Sequence, residues 1–333
     1  MGEDRTCQHR ISKCMKVLVD KGMLGGIMPH TIQYRPVIID QLISNNRIDS
    51  YQSVFNPSND IELMGVYLWN AHVASALFPL LSSSEITLRN SIDYSLRQHL
   101  GNYWWSANKL HYRSYSPGVN PPQVVKNLRN NFKRASEKHI REHKSRYNVQ
   151  GNVTPRHQDI VAKTEFSTWE FILDDEFMGN GLIWPSRLGT VFRGPWPSQK
   201  AGLTLNRAKD LVSTVRDFRN RLFHHEPAWK KFGIVNETDA ITHLQEKIAV
   251  VEDLINLVNP EKINLLNKNG IISNAKRTCS SAEIRRFQHI ALIHNVKSIS
   301  KLGDMLGSVT KNNEPALMKF YNGSKQKFLI TPI

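Results

Sequence analysis

Apolar residues recur at helical spacing along most of the chain, and alternating apolar–polar runs are scarce. Leu203, Ala208, Leu211, Val212, Val215, Phe218 and Leu222 form the best stripe, which predicts an amphipathic helix from Leu203 to His225. Ile241, Leu244, Ile248, Val251, Leu254, Ile255 and Val258 predict a second, from Thr238 to Val258, ended by Asn259-Pro260. Leu63, Tyr67, Ala71, Ala74, Phe78 and Leu81 mark one face of a long helical pattern from Ile61 to Leu100, started by Asn59 with Glu62 three residues on. Pro79 is expected to kink or interrupt it, and Ser82 with Glu85 reads as a capping box that restarts it. Gln123 to Tyr147 is a helix with sparse apolar contacts, Val125, Leu128, Phe132, Ala135 and Ile140. Asp159 to Phe177 also reads as helix, followed by a Gly- and Pro-rich irregular stretch from Met178 to Lys200. Shorter helices are expected at Ile11–Leu24, Val37–Asn45 and Ile48–Phe55. After Asn259-Pro260, a Ser280/Glu283 capping box opens a helix to His294, and another runs near Ser298 to Leu306 until Gly307.

These elements predict an all-α fold: a helical bundle in which the Ile61–Leu100 and Leu203–His225 helices are neighbours, with added N- and C-terminal helices. The expected organisation is an N-terminal helical extension (1–55), a helical core (56–260) and a C-terminal helical extension (261–333).

Charge adds a partner class. The 333 residues carry 44 Lys and Arg against 29 Asp and Glu, a net charge of +15 and a pI near 9.7, which suits a polyanion, nucleic acid first. A basic surface with no specific partner is the bland alternative. The densest positive stripe is the Gln123–Tyr147 helix, where Lys126, Arg129, Lys133, Arg134 and Arg141 are candidates for RNA backbone contacts. His139 and His143, four residues apart, have no third ligand nearby, so no metal site is assigned and no cofactor is expected. Tyr103-Trp104-Trp105 reads as core packing, with base stacking as the alternative. The polar first residues lack the apolar segment of a secretory signal, and the apolar run Val66–Leu81 is broken by Asn70, His72 and Pro79, so no membrane span is expected. Met1-Gly2 with Thr6 fits only a loose myristoylation pattern. Cys7, Cys14 and Cys279 are too scattered for a disulfide or zinc framework, which favours a reducing, cytoplasmic setting.

The most concentrated chemistry lies at the end of the best helix. Arg216-Asp217-Phe218-Arg219-Asn220-Arg221-Leu222-Phe223-His224-His225-Glu226-Pro227 holds three arginines and two histidines, and Pro227 stops the helix. Arg219 falls inside the apolar stripe, whereas Asn220 and His224 share a face away from it. A buried Arg219 paired with a carboxylate is one reading. A phosphate site is the other, since guanidinium matches phosphate oxygens and imidazole moves protons near neutral pH. Arginine with histidine is a sufficient kit for cutting RNA without metal.

The run Arg219-Asn220-Arg221-Leu222-Phe223-His224 resembles the R-N-x-x-x-H signature of the HEPN superfamily, and the continuation His225-Glu226-Pro227 resembles its Abi-like (abortive infection) branch. Tyr67-Leu68-Trp69-Asn70 and Glu85-Ile86-Thr87-Leu88-Arg89-Asn90 resemble the N-terminal helix region of that branch. Ile160-Val161-Ala162, Phe166-Ser167-Thr168-Trp169 and Leu182-Ile183-Trp184 are similar to its middle block, with Ser167-Thr168 departing where Gly and an aromatic are expected. The resemblance spans about residues 35–260.

The resemblance implies a metal-independent endoribonuclease, a hydrolase of an antiviral-defence (abortive-infection) or toxin type. It further implies a homodimer whose motif helices meet in a composite site. Arg219, Asn220 and His224 would be catalytic: Arg219 the phosphate clamp, Asn220 the positioning residue, His224 the acid or base. His225, Glu226, Glu85, Arg89 and Asn90 would support them. Glu85 has two readings, a helix cap paired with Arg89 or an orienting partner across a helix pair. Arg89-Asn90 has two as well, a second phosphate contact or a partner for Glu226. The substrate would be RNA, such as tRNA, mRNA or a regulatory small RNA, and whether a small RNA or an inhibitory partner protein holds the enzyme silent is left open by the sequence. Two alternatives stand beside it: a non-catalytic RNA- or protein-binding module, as in a toxin–antitoxin pair, and a partner of a separately encoded nucleotidyltransferase.

Overall fold

A computed structural model describes residues 32–312, 315–322 and 324–331. The expected Ile11–Leu24 helix, the Met1-Gly2/Thr6 pattern, Cys7 and Cys14 lie outside the described residues. The fold is mostly helical, in line with an all-α class carrying extra terminal elements. Two compact units are distinguished, residues 1–68 with 284–291 and residues 69–283 with 292–333.

In the first unit a π-helix, Val37–Ile43, precedes α1 (Asn45–Phe55). Arg35 ties this segment together, donating to Asp40 (2.7 Å), Asp60 (3.1 Å) and Asn45 (3.2 Å). Tyr51 is fully buried and meets Tyr67 edge-on at 5.6 Å. The expected start of the long helix is present: the Asn59 carboxamide accepts from the amides of Ile61 and Glu62 (both 3.0 Å), and Glu62 accepts from that of Ser58 (2.9 Å). At Gly65 a Cβ would fall 2.5 Å from the Phe287 carbonyl oxygen, so only glycine lets the two backbones approach so closely.

That helix, α2 (Asp60–Leu100), runs through Pro79 as one element, so the expected break and the Ser82/Glu85 restart are corrected. Pro79 sits on the exposed face, while Leu77, Leu80 and Leu81 on either side are buried and hold both halves in one path. Its composition and length would allow a membrane crossing, but 56% of its most apolar window is buried inside the protein. The second unit contains α3 (Gln123–Tyr147), α4 (His157–Val161), α5 (Ser167–Phe171), α6 (Leu188–Val191), α7 (Ala201–Phe223) and α8 (Glu237–Val258). The single helix expected over 159–177 is instead two short α-helices and a 3-10 turn, Asp175–Phe177. Thr164 interrupts it, its amide and hydroxyl both donating to the Val161 carbonyl (3.3 and 2.8 Å).

An aromatic core joins these helices. Trp105 lies flat on Phe132 at 4.0 Å, Trp104 meets Phe132 edge-on at 5.2 Å, and Trp169 is fully buried beside them. Trp104 and Trp105 are therefore packing, while Tyr103 is exposed. Asp93 and His157 are buried within this core. Nδ1 of His157 accepts from the Tyr103 amide (2.9 Å), so Nε2 carries the proton and donates to Asp93 (2.7 Å). Trp104 donates to the same carboxylate at 2.9 Å. With both ring nitrogens engaged, this pair is a structural bridge.

Beyond Asn259 the chain adds α9 (Pro260–Lys268), α10 (Ile271–Thr278) and α11 (Ser281–Phe287). The purely helical extension expected for 261–333 is corrected here. β1 (Ile293–Val296), α12 (Ile299–Asn312), β2 (Ala316–Asn322) and β3 (Ser324–Ile330) form a small sheet in order β1-β2-β3, with β1 parallel and β3 antiparallel to β2. Val296, Met305 and Met318 are the core of this module. His294 is thus in a strand, and Gly307 lies inside α12.

Candidate functional site

Helix α7 folds as its stripe predicts: Leu205, Ala208, Leu211, Val212, Val215, Phe218 and Leu222 are buried, and only Leu203, in the first turn, is exposed. One turn before its end stands Arg219, whose side chain is 34% exposed. Its guanidinium is held from three directions. Glu85 of α2 places a carboxylate oxygen 3.7 Å from Nε, the Asn220 carboxamide oxygen accepts from Nη1 at 3.3 Å, and the Phe223 ring lies 4.4 Å beneath the guanidinium carbon. Nε is buried and makes no hydrogen bond, and Nη2 has no partner among the described residues. Phe223 in turn meets Phe78 of α2 at 5.8 Å. These contacts place α2 and α7 side by side, as expected. Glu85 caps no helix and reaches Arg219 instead of Arg89, which removes the reading of it as a cap paired with Arg89.

The helix ends two residues earlier than its sequence suggests. Phe223 is its last residue, and His224 is the C-cap, its amide donating to the Asn220 carbonyl at 2.9 Å. His225 takes the left-handed conformation with φ 56°, which histidine tolerates better than most residues, and this closes the helix before Pro227. His224 is exposed, and no hydrogen bond, ion pair or ring contact engages its imidazole among the described residues. Glu226 pairs with Arg221 (3.8 Å), not with Arg89, and Arg221 also donates to the Lys230 carbonyl (2.5 Å). The turn is pinned from below: Asn70, nearly buried, accepts from the Ala228 amide at 2.8 Å, and Trp229 is buried beside it.

Arg219 and Asn220 open into a cleft of about 540 Å³. Lys138, Lys163, Arg216 and Arg219 supply its positive charge, Glu85, Glu142 and Glu165 its negative charge. Arg216 is taken up by close contact with Glu170 and by Asp217 (2.8 Å). Burial raises the Glu170 carboxyl above its ordinary range, partly offset by Arg216. Lys163 closely contacts Glu142 and holds that carboxyl below its ordinary range. Lys138 makes no ion pair or hydrogen bond among the described residues, and Arg219 keeps Nη2 unengaged.

Of the expected site residues, Arg219, Asn220 and Glu85 come together, and His224 sits at the helix end one turn from Asn220. His225 and Glu226 shape the turn. Arg89 and Asn90 do not join: Arg89 donates to its neighbour Asn90 at 3.2 Å, and Asn90 opens onto a separate depression with Arg193 and Asn259. The expected RNA contacts divide. Lys133, Arg134 and Arg141 are exposed and Lys126 half-buried, and none of the four lines the cleft. Arg129 is occupied by the Leu110 carbonyl (3.4 Å) and the Tyr112 ring. Lys138 and Lys163 line the cleft instead. The contacts of Phe78, Asn70 and Lys163 had no sequence signal, because each partner lies more than 20 residues away. Among the described residues no three His, Cys, Asp or Glu side chains gather as a metal ion would require.

No family model matches this chain, and no curated protein or solved structure matches it either.

Proposed function

We propose that the chain is a metal-independent endoribonuclease, a HEPN-like enzyme of the abortive-infection or toxin type acting in the cytoplasm. The observation that carries this reading is the Arg219 guanidinium: fixed by Glu85, Asn220 and Phe223, with an unengaged Nη2 at a polar cleft, one turn from an exposed and unengaged imidazole. Arginine preorganised this way presents donors to a phosphate at little ordering cost. In the proposed reaction a neutral imidazole removes the proton of a ribose 2′-OH. The 2′-oxygen attacks phosphorus, the bond from phosphorus to the 5′-oxygen breaks, and a protonated imidazole supplies the proton to that leaving oxygen. Arg219 balances the added charge on the phosphate oxygens, and Asn220 keeps the guanidinium aligned. The products are a 2′,3′-cyclic phosphate and a 5′-hydroxyl.

One chain offers His224 for one of the two proton transfers. A second copy meeting the first at the motif helices would supply the other imidazole, and the exposed Phe78 and Phe223 rings beside Arg219 suit such a face. The test is product chemistry. Purified protein in excess chelator should convert RNA to fragments ending in a cyclic phosphate, and a substrate with a 2′-deoxy sugar at the cut position should resist. Cleavage of the deoxy substrate would contradict the mechanism. A binding role without cleavage is the second reading, favoured by Glu85, which already neutralises part of the Arg219 charge.

A further inference from the structure

Helix α3 packs its first half on the core through Val125, Leu128, Phe132 and Ala135. The same face continues past residue 136, but there it carries His139, Glu142, His143 and Arg146. These side chains do not cover a core. They form one wall of an open groove of about 890 Å³, whose other wall carries Arg156 and Lys163. Three rings stand in a row along the wall, one helical turn apart. His139 and His143 have centroids 5.8 Å apart with planes 32° from parallel, and His143 and Tyr147 are 4.7 Å apart at 50°. Tyr147, the last residue of α3, is 61% exposed.

The groove does not stop there. Glu142, Ala162 and Lys163 line both it and the Arg219 cleft, so the two share a border at the Glu142–Lys163 contact. Two of the groove's cations are already matched, Lys163 by Glu142 and Arg156 by Asp159 (3.0 Å). Arg146 forms no ion pair or hydrogen bond among the described residues. Charge alone is thus a weak attraction here, and the distinctive feature is the row of rings beside one unmatched guanidinium. Stacked bases within a duplex offer no free faces to such a row, whereas an unpaired strand offers one per nucleotide.

We infer that this groove is a binding track for single-stranded RNA, in which unpaired bases stack on His139, His143 and Tyr147 and Arg146 meets the backbone, leading the strand to Arg219. The inference rests on the nuclease reading for the identity of the strand, but it concerns residues that take no part in the chemistry. It assigns an unstructured segment, not a helix, as what the protein grips next to the cut.

The test uses the full chain carrying His224→Ala, so that substrate survives, and a fluorescein-labelled oligouridylate read by anisotropy. Adding His143→Ala and Tyr147→Ala together should weaken binding by at least about fivefold, the loss of roughly one stacked base or more. Tyr147→Phe, which keeps the ring, should bind within about twofold of the parent. A duplex of matched length should bind more weakly than the single strand. An unchanged thermal midpoint of the double variant separates lost stacking from lost folding; Tyr147→Ala alone, at an exposed helix end, serves if the double variant is destabilised. Equal binding by parent and ring-less variants, or equal binding of duplex and single strand, overturns the track and points to a protein partner for these rings. The two proposals fail separately. With His224 restored, normal cleavage and KM in the ring-less variant sink the track and leave the nuclease. Ring-dependent binding with no cleavage by the natural chain leaves the track and sinks the nuclease.

Discussion

At the residue scale, the arrangement turns on how few contacts hold Arg219. Its ion pair with Glu85 is long (3.7 Å) and one partner is a third exposed, so its worth to stability is small, roughly 0.5 kcal/mol. Its worth to orientation is larger. Glu85→Gln should leave the melting temperature nearly unchanged while lowering cleavage several-fold, chiefly in kcat; a proportional loss of both would assign Glu85 to stability alone. Asn70 is the opposite case. Its carboxamide serves the Ala228 amide in a buried site, and Asn70→Ala leaves that donor unpaired at a cost of about 1–3 kcal/mol, measurable by denaturant unfolding. His243 sets a pH limit. Burial, with Lys247 and Lys231 near it, pushes its imidazole from 6.5 down to about 4. As pH falls through that window the unfolded chain takes up a proton that the folded chain resists, so stability is lost between about 6.5 and 4 and is unaffected above. His243→Gln should flatten the fall of melting temperature over that range; an equally steep fall would remove His243 as its cause.

At the element scale, backbones approach closely at two glycines, Gly65 and Gly194. The backbone at Gly194 runs so near the end of α8 that a Cβ would lie 1.9 Å from the Asn256 carbonyl oxygen, and the Gly194 amide donates to Leu257 at 3.0 Å. Gly194→Ala should therefore destabilise by several kcal/mol, about the range of severe overpacking, or prevent folding; a variant as stable as the parent would show that the loop yields. Such approaches leave no periodic trace in a sequence. What was legible there was local: the stripes of α7 and α8, the Asn59 cap, the basic α3. The break at Pro79 was misjudged because a buried flank on both sides outweighs one lost hydrogen bond. The C-terminal strands were missed because β1 has four residues and β2 carries Leu317 and Met318 side by side, which blurs alternation. The Asn322-Gly323 pair was the available hairpin signal. In the site, Arg219, Asn220 and His224 stood out by composition. The contacts of Glu85 with Arg219, of Phe78 with Phe223 and of Lys163 with Glu142 needed the fold.

At the scale of the whole molecule, the net charge of +15 is broad, yet its useful part is narrow. Many cations of α3 face solvent, and only a few border the cleft and groove. RNA affinity should accordingly show a gentler salt dependence than the charge suggests, set by the few phosphates that Arg219, Lys138 and Arg146 can meet. Under the proposed mechanism each chain offers His224 for one of two proton transfers, so the active protein should be a dimer, and mixing His224→Ala with Arg219→Ala chains should alter activity in proportion to mixed pairs. The most direct test compares the natural chain with Arg219→Ala and His224→Ala on total RNA at low salt in excess chelator. The account predicts cleavage by the natural chain and its loss, by a hundredfold or more (about 3 kcal/mol of transition-state stabilisation), in both variants. Equal cleavage by all three would contradict it.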